Sequence, residues 1–150
     1  MSMTEKEVRG LLHSIKDQDE ELEKKLIQLA ELRTAVENCT AKLDKDGSQH
    51  SMAGDKLSNL MCKIVDLEKE CENLHISVNS IRKSVVEMSK SLAQDRHKEY
   101  LTLRFVKCNG FYDTVMKMNL SDSTARRIDR KAISELTRII NATDAPKRNF

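Results

Sequence analysis

Residues 57–92 read LSNLMCKIVDLEKECENLHISVNSIRKSVVEMSKSL. Within this run Leu57, Leu60, Ile64, Leu67, Cys71, Leu74, Val78, Ile81, Val85, Met88 and Leu92 fall at alternating spacings of three and four, with mostly polar residues between them. A period of 3.5 keeps one narrow apolar line on one side of a helix, and so narrow a line is buried only against another helix. The run therefore predicts a long helix that needs a partner.

The partner is upstream. Thr4 followed by Glu7 has the pattern of a capping box, which marks a helix start. Val8, Ile15, Leu22, Leu29, Val36 and Leu43 then recur every seven residues. A second line is patchier: Leu11 or Leu12, then polar Gln18 and Asp19, then Leu26, Leu32 and Cys39. The stretch from Lys16 to Glu21 is expected to be the loosest part of the packing. Between the two helices, Asp44–Asp55 (DKDGSQHSMAGD) lacks periodicity and holds Gly47 and Gly54, a loop signal. Two apolar-striped helices flanking a short loop predict an antiparallel coiled-coil hairpin over residues 1–95.

Composition agrees with a helical chain. Its 150 residues suit about one domain. Aromatics are 3% with no Trp, which argues against a large core around an enclosed substrate pocket; the 33% of charged residues suits long helices with thin cores. No stretch alternates with period two, so no sheet is expected and the fold class is all-α. The one proline is Pro146. No apolar run reaches 18 residues, so no membrane span is expected, and the acidic, polar start is unlike a signal peptide. The cysteines, Cys39, Cys62, Cys71 and Cys108, form no C-x-x-C pair and predict a reduced, cytoplasmic setting. Cys71 and His75 are four apart, but two ligands fall short of a structural zinc site, so no metal and no cofactor are expected.

Charge is uneven. From Arg96 onward there are 12 Lys and Arg against 6 Asp and Glu, net +6, which leaves −4 of the total +2 on the first 95 residues. A basic C-terminal part places any polyanion-binding function there. Tyr100, Leu103, Phe105 and Val106 predict a helix with a broad apolar face. Asn109-Gly110 is a turn signal. Phe111, Val115 and Met118 mark a short helix ending at Asn119-Leu120. Ser121 is a good N-cap for a last helix with core positions Ala125, Ile128, Ala132, Leu136 and Ile140. A short helix, a tight turn and a Ser-capped helix form a helix-turn-helix pattern over residues 96–141, with a flexible tail at 142–150. The second helix of such a motif enters the DNA major groove. Off its core line stand Asp122, Ser123, Thr124, Arg126, Arg127, Arg130 and Lys131. With Ser121, all but the acid are candidate DNA-binding residues, because hydroxyls and guanidinium groups bond to base edges and phosphates.

Arg104-Phe105-Val106, then Phe111, Val115 and Met118, Leu120-Ser121, Ala125-Arg126-Arg127-Ile128 and Arg130-Lys131-Ala132-Ile133 with Leu136 resemble a sigma region 4-like helix-turn-helix. The similarity is greatest to phage-encoded late-transcription regulators of the ArpU/RinA type. KIVDLEKE at 63–70 resembles the helical hairpin of small phage proteins that end in the same module. In that pattern Phe111 takes the place of the family's aromatic, Ser121 of the recognition-helix cap and Arg127 of its arginine. Thr114 stands where the family has a large aliphatic, and Ala125 where it usually has Val. The resemblance implies a DNA-binding transcriptional regulator, phage or prophage encoded, that controls late genes in the cytoplasm of a bacterial host. The implied partners are double-stranded DNA and host RNA polymerase; leftover apolar residues of the arm, among them Leu11, Leu12, Leu32 and Met61, add an expected homodimer.

Two other readings stand beside this one. The cations of the last helix could be a solvated face salt-bridged to Asp122, Asp129 or Glu135. The chain could also be a coiled-coil interaction protein that binds a protein partner without reading DNA. Catalysis is not expected. His13, His50, His75 and His97 lack catalytic neighbours, and no Ser, Cys and His share the Gly-rich elbow of a nucleophile. Asp17, Asp19, Glu20, Glu21 and Glu23 read as one acidic helix face.

Overall fold

The computed structural model describes residues 2–45 and 50–144. Among them all regular structure is helical: α1 (Glu5–Lys45), α2 (His50–Ser89), α3 (Asp95–Leu101), a π-helical turn (Thr102–Val106), α4 (Phe111–Lys117) and α5 (Asp122–Asp144). The fold class is all-α.

Two boundaries differ from those expected. Residues 50–55 lie inside α2, so the loop expected at 44–55 is largely helix; 46–49 lie outside the described residues. Gly54 costs a helix interior only about 1 kcal/mol relative to Ala, and without proline the ladder propagates through it. At the other end α5 runs to Asp144, through the start of the expected tail, and 145–150 lie outside the described residues. No proline interrupts the helix among the described residues.

None of the eleven positions of the apolar line from Leu57 to Leu92 is exposed. The chain forms two compact units, residues 18–77 and residues 1–17 with 78–150. The expected division at residue 95 is therefore not the one observed. A heptad line carries no mark of which helix covers it, and the line of α2 runs through the border unbroken.

In residues 18–77 the core is thin. Leu29, Ile64 and Leu67 are buried, with Leu32 and Val36 packed against them. Lys25 bonds Glu70 at 2.8 Å and Arg33 bonds Glu68 at 3.0 Å, so the two helices pair in opposite chain directions. Leu26, expected on the second apolar line, is 49% exposed. Seven residues back from Leu32 is Lys25, which occupies that line with its stem partly covered and its ammonium at Glu70, as long cationic side chains do.

In the other unit, Val8, Leu12 and Ile15 of α1 and Val78, Val85 and Leu92 share one core with Tyr100, Phe105 and the inner face of α5. Leu12, expected to be left over for assembly, is thus consumed within the chain. The capping box closes in both directions: the Thr4 N–H donates to Glu7 Oε2 and the Glu7 N–H to Thr4 Oγ1, each at 3.2 Å. The Met3 N–H donates to Asn141 Oδ1 at 2.8 Å, and Asn141 Nδ2 donates back to the Met3 carbonyl at 3.0 Å. The π turn brings residues five apart to one side. Tyr100 and Phe105 accordingly meet edge to face, centroids 6.4 Å apart.

Candidate nucleic-acid interface

The approach to α5 is built by local chemistry. The Thr114 hydroxyl donates to the Gly110 carbonyl at 2.9 Å, and Thr114 and Val115 are buried. Asn119 ends α4 in the left-handed region, at φ 53°, which asparagine tolerates better than most residues. Its N–H donates to the Met116 carbonyl at 3.2 Å, and the Leu120 N–H reaches the Val115 carbonyl at 3.0 Å, the paired bonds of a Schellman end. Ser121 then caps α5: its Oγ accepts from the Thr124 N–H at 3.3 Å and donates to Thr124 Oγ1 at 2.8 Å. The hydroxyls of Ser121 and Thr124 are therefore engaged with each other, and the exposed Ser123 hydroxyl lies 3.4 Å from that of Ser121.

The expected core line of α5 is buried at Ala125, Ile128, Ala132, Leu136 and Ile140, joined by Ile133 and Thr137. Arg126, Arg127, Arg130 and Lys131 are exposed. At four-residue spacing they form two adjacent rows, Arg126 with Arg130 and Arg127 with Lys131. The Arg126 guanidinium lies 5.1 Å over the Phe111 ring, a cation–π arrangement that fixes its direction. None of the four makes an ion pair with another described residue.

Two of the acids that the alternative reading sets against that face turn elsewhere. Asp129 is held by Arg9 Nη2 at 2.6 Å and by the Tyr100 hydroxyl. Burial and this bond to Asp129 push the Tyr100 phenol well above its usual pKa, so it stays a donor. Glu135 accepts from the Ala93 N–H at 2.8 Å and lies 3.6 Å from His97 Nδ1. Asp122 remains in the first turn of α5, where the helix dipole favours it.

Arg9 is the group that sequence reading missed. It stands off the apolar line of α1 and 120 residues from its partner, so no local spacing announces the pair. Among the described residues no three of His, Cys, Asp and Glu gather as a metal site, and no helix is long and apolar enough to cross a membrane. Comparison of the chain with protein-family models, curated proteins and solved structures returned no match.

Proposed function

We propose that the chain is a DNA-binding transcriptional regulator in which α4 and α5 act as a helix-turn-helix and α5 reads the major groove. The observation that carries this reading is the pair of cationic rows on α5, exposed and unpaired with described acids, on a helix whose other side is locked into a core. Arginine binds guanine edges and phosphates in a fork, and Lys131 supplies a further phosphate contact. Ser123, exposed at the helix start, is a hydroxyl within reach of a phosphate, while Ser121 and Thr124 set the helix direction.

The resemblance of residues 104–136 to phage late-transcription regulators supports a phage or prophage origin, late-gene control and action in the host cytoplasm, with host RNA polymerase as a further partner. In this reading α1 and α2 form a coiled-coil hairpin that pairs two copies. The exposure of Leu26, Ile27, Met61, Val65 and Ile76 in residues 18–77 supports that pairing. The same exposure favours the second reading, an interaction protein that uses these residues on another protein.

Mobility shifts of duplexes from upstream of the gene and its neighbours, at about 50 and 200 mM salt, test the reading. A protein making several phosphate contacts loses orders of magnitude in affinity across that range. Absence of any shift at the lower salt, with any duplex, would refute DNA binding. Light scattering tests the pairing: a 17.2 kDa particle at micromolar concentration is a monomer and excludes it.

A further inference from the structure

Beside the exposed rows of α5 is an open cavity of about 350 Å³ lined by Arg9, Arg104, Phe111, Arg126, Asp129 and Arg130. Four guanidinium groups against one carboxylate give its lining a net charge of +3. That carboxylate is occupied, with Arg9 donating to both oxygens and the Tyr100 hydroxyl to Oδ2. Arg104 is held in place by a bond from Nη1 to the Asn109 carbonyl at 3.1 Å and by the Phe105 ring 5.1 Å from its guanidinium carbon. Arg126 is held over Phe111 at 5.1 Å. Arg130 forms no bond to a described residue. Three segments far apart in sequence thus bring like charges to one concave place, where they repel each other unless an anion joins them.

We propose that this cavity binds a phosphate ester of a nucleotide unit, with Arg104, Arg126 and Arg130 as the groups that hold the anion. The planar fork of arginine suits phosphate oxygens, and each such bond is charge-assisted. Arg9 and Asp129 form the floor, which keeps the carboxylate from repelling the incoming phosphate. The ester has two sources: the backbone of a duplex lying on α5, in which case the inference deepens the DNA-reading proposal, or a free nucleotide, in which case it stands without it.

The test uses the full chain, Arg104→Gln, Arg130→Gln and, as a control of equal charge change, Arg138→Gln. Arg138 is exposed on α5, two helical turns beyond Arg130. Thermal melts accompany each, and Arg130→Gln, which loses no internal bond, keeps the test readable if Arg104→Gln unfolds. The probes are a fluorescent random-sequence duplex of about two helical turns, over roughly 50–200 mM salt, and AMP measured by calorimetry.

If the duplex is the source, Arg104→Gln and Arg130→Gln each weaken its binding roughly tenfold and lower the salt slope by about one, while Arg138→Gln stays near the parent. If a free nucleotide is the source, the parent binds AMP and both cavity variants lose it. Cavity variants that match Arg138→Gln in both assays overturn the proposal while leaving duplex binding by the parent intact. A parent that binds AMP but no duplex keeps the cavity and removes the DNA-reading function. A parent that binds neither removes both.

Discussion

Arg9 and Asp129 meet at 2.6 Å across 120 residues of sequence, and the Tyr100 hydroxyl bonds the second carboxylate oxygen. This arrangement ties the first turns of α1 to the middle of α5, beneath the cationic rows. Asp129 is therefore a positioning group, because its charge is spent on holding two elements together.

Removing one donor should be felt in stability. Tyr100→Phe leaves the ring, which is fully buried, and deletes one charge-assisted bond, at an expected cost of roughly 1–3 kcal/mol. Arg9→Met with Tyr100→Phe should show coupling in a double-mutant cycle of denaturant melts, since both act on one carboxylate. Strict additivity would mean that the two donors do not share Asp129.

Residues 18–77 should answer to their thin core. Leu67 is 9% exposed and packs with Leu29 and Ile64, so Leu67→Ala is expected to cost about 2–3 kcal/mol, near the low end of such truncations. Lys69 is exposed, and Lys69→Ala should stay within about 0.5 kcal/mol. Equal effects of the two on a melt would mean that the packing register is wrong.

Acid should weaken the fold through His13. Its ring meets Phe105 edge-on with centroids 5.4 Å apart. Burial lowers its pKa below the ordinary 6.5, and Arg104 and Arg9 lower it further, against weaker opposite pulls from Asp17 and Asp129. The unfolded chain thus takes up a proton near 6.5 that the folded chain refuses. The resulting stability is present above 6.5 and is lost as pH falls through the lower, folded value. His13→Gln should lose less stability than the parent between about pH 7.5 and 5. Parallel stability curves for parent and variant over that interval would exclude the effect.

Asp122 should pull stability and DNA affinity in opposite directions. It is the acid in the first turn of α5, so Asp122→Asn is expected to lower stability by about 0.3–1 kcal/mol through the lost dipole interaction. The same change removes a negative charge from the end of α5 that approaches phosphate in the proposed reading. Duplex affinity should rise at low salt and converge with the parent at high salt. Unchanged affinity at low salt would place Asp122 away from the nucleic acid.

Much of the helical content was legible in local pattern. The alternation from Leu57 to Met88 marks the covered line of α2, Thr4 with Glu7 marks the start of α1, and Ser121 marks the start of α5, because each depends on residues within a turn or two of one another. Grouping was not legible. Val8 and Ile15 lie on the same repeating line as Leu29 and Val36, yet they belong to a different core, and only tertiary packing separates them. The cavity beside α5 was hidden for the same reason: Arg104 was noticed as part of a motif, and Arg9 had no neighbour in sequence to give it meaning. The side chains of Asp129 and Glu135, which the alternative reading pairs with the cations of α5, instead satisfy Tyr100, Arg9 and the Ala93 N–H.

The bonds between Met3 and Asn141 join positions 138 apart, and the unit that contains them is assembled from residues 1–17 and 78–150. During synthesis the first turns of α1 emerge long before the helix that clasps them. Val78, Val85 and Leu92 can meet them earlier, but their core is complete only once α5 is made. Residues 18–77 are continuous and can pair as soon as both of their helices exist, at the modest entropic cost of joining segments close in sequence. The unit carrying the cationic rows therefore has high contact order and should complete last and more slowly. A chain stopped short of α5 would leave Val8, Leu12 and Ile15 covered from one side only, a form suited to chaperone capture and quick removal.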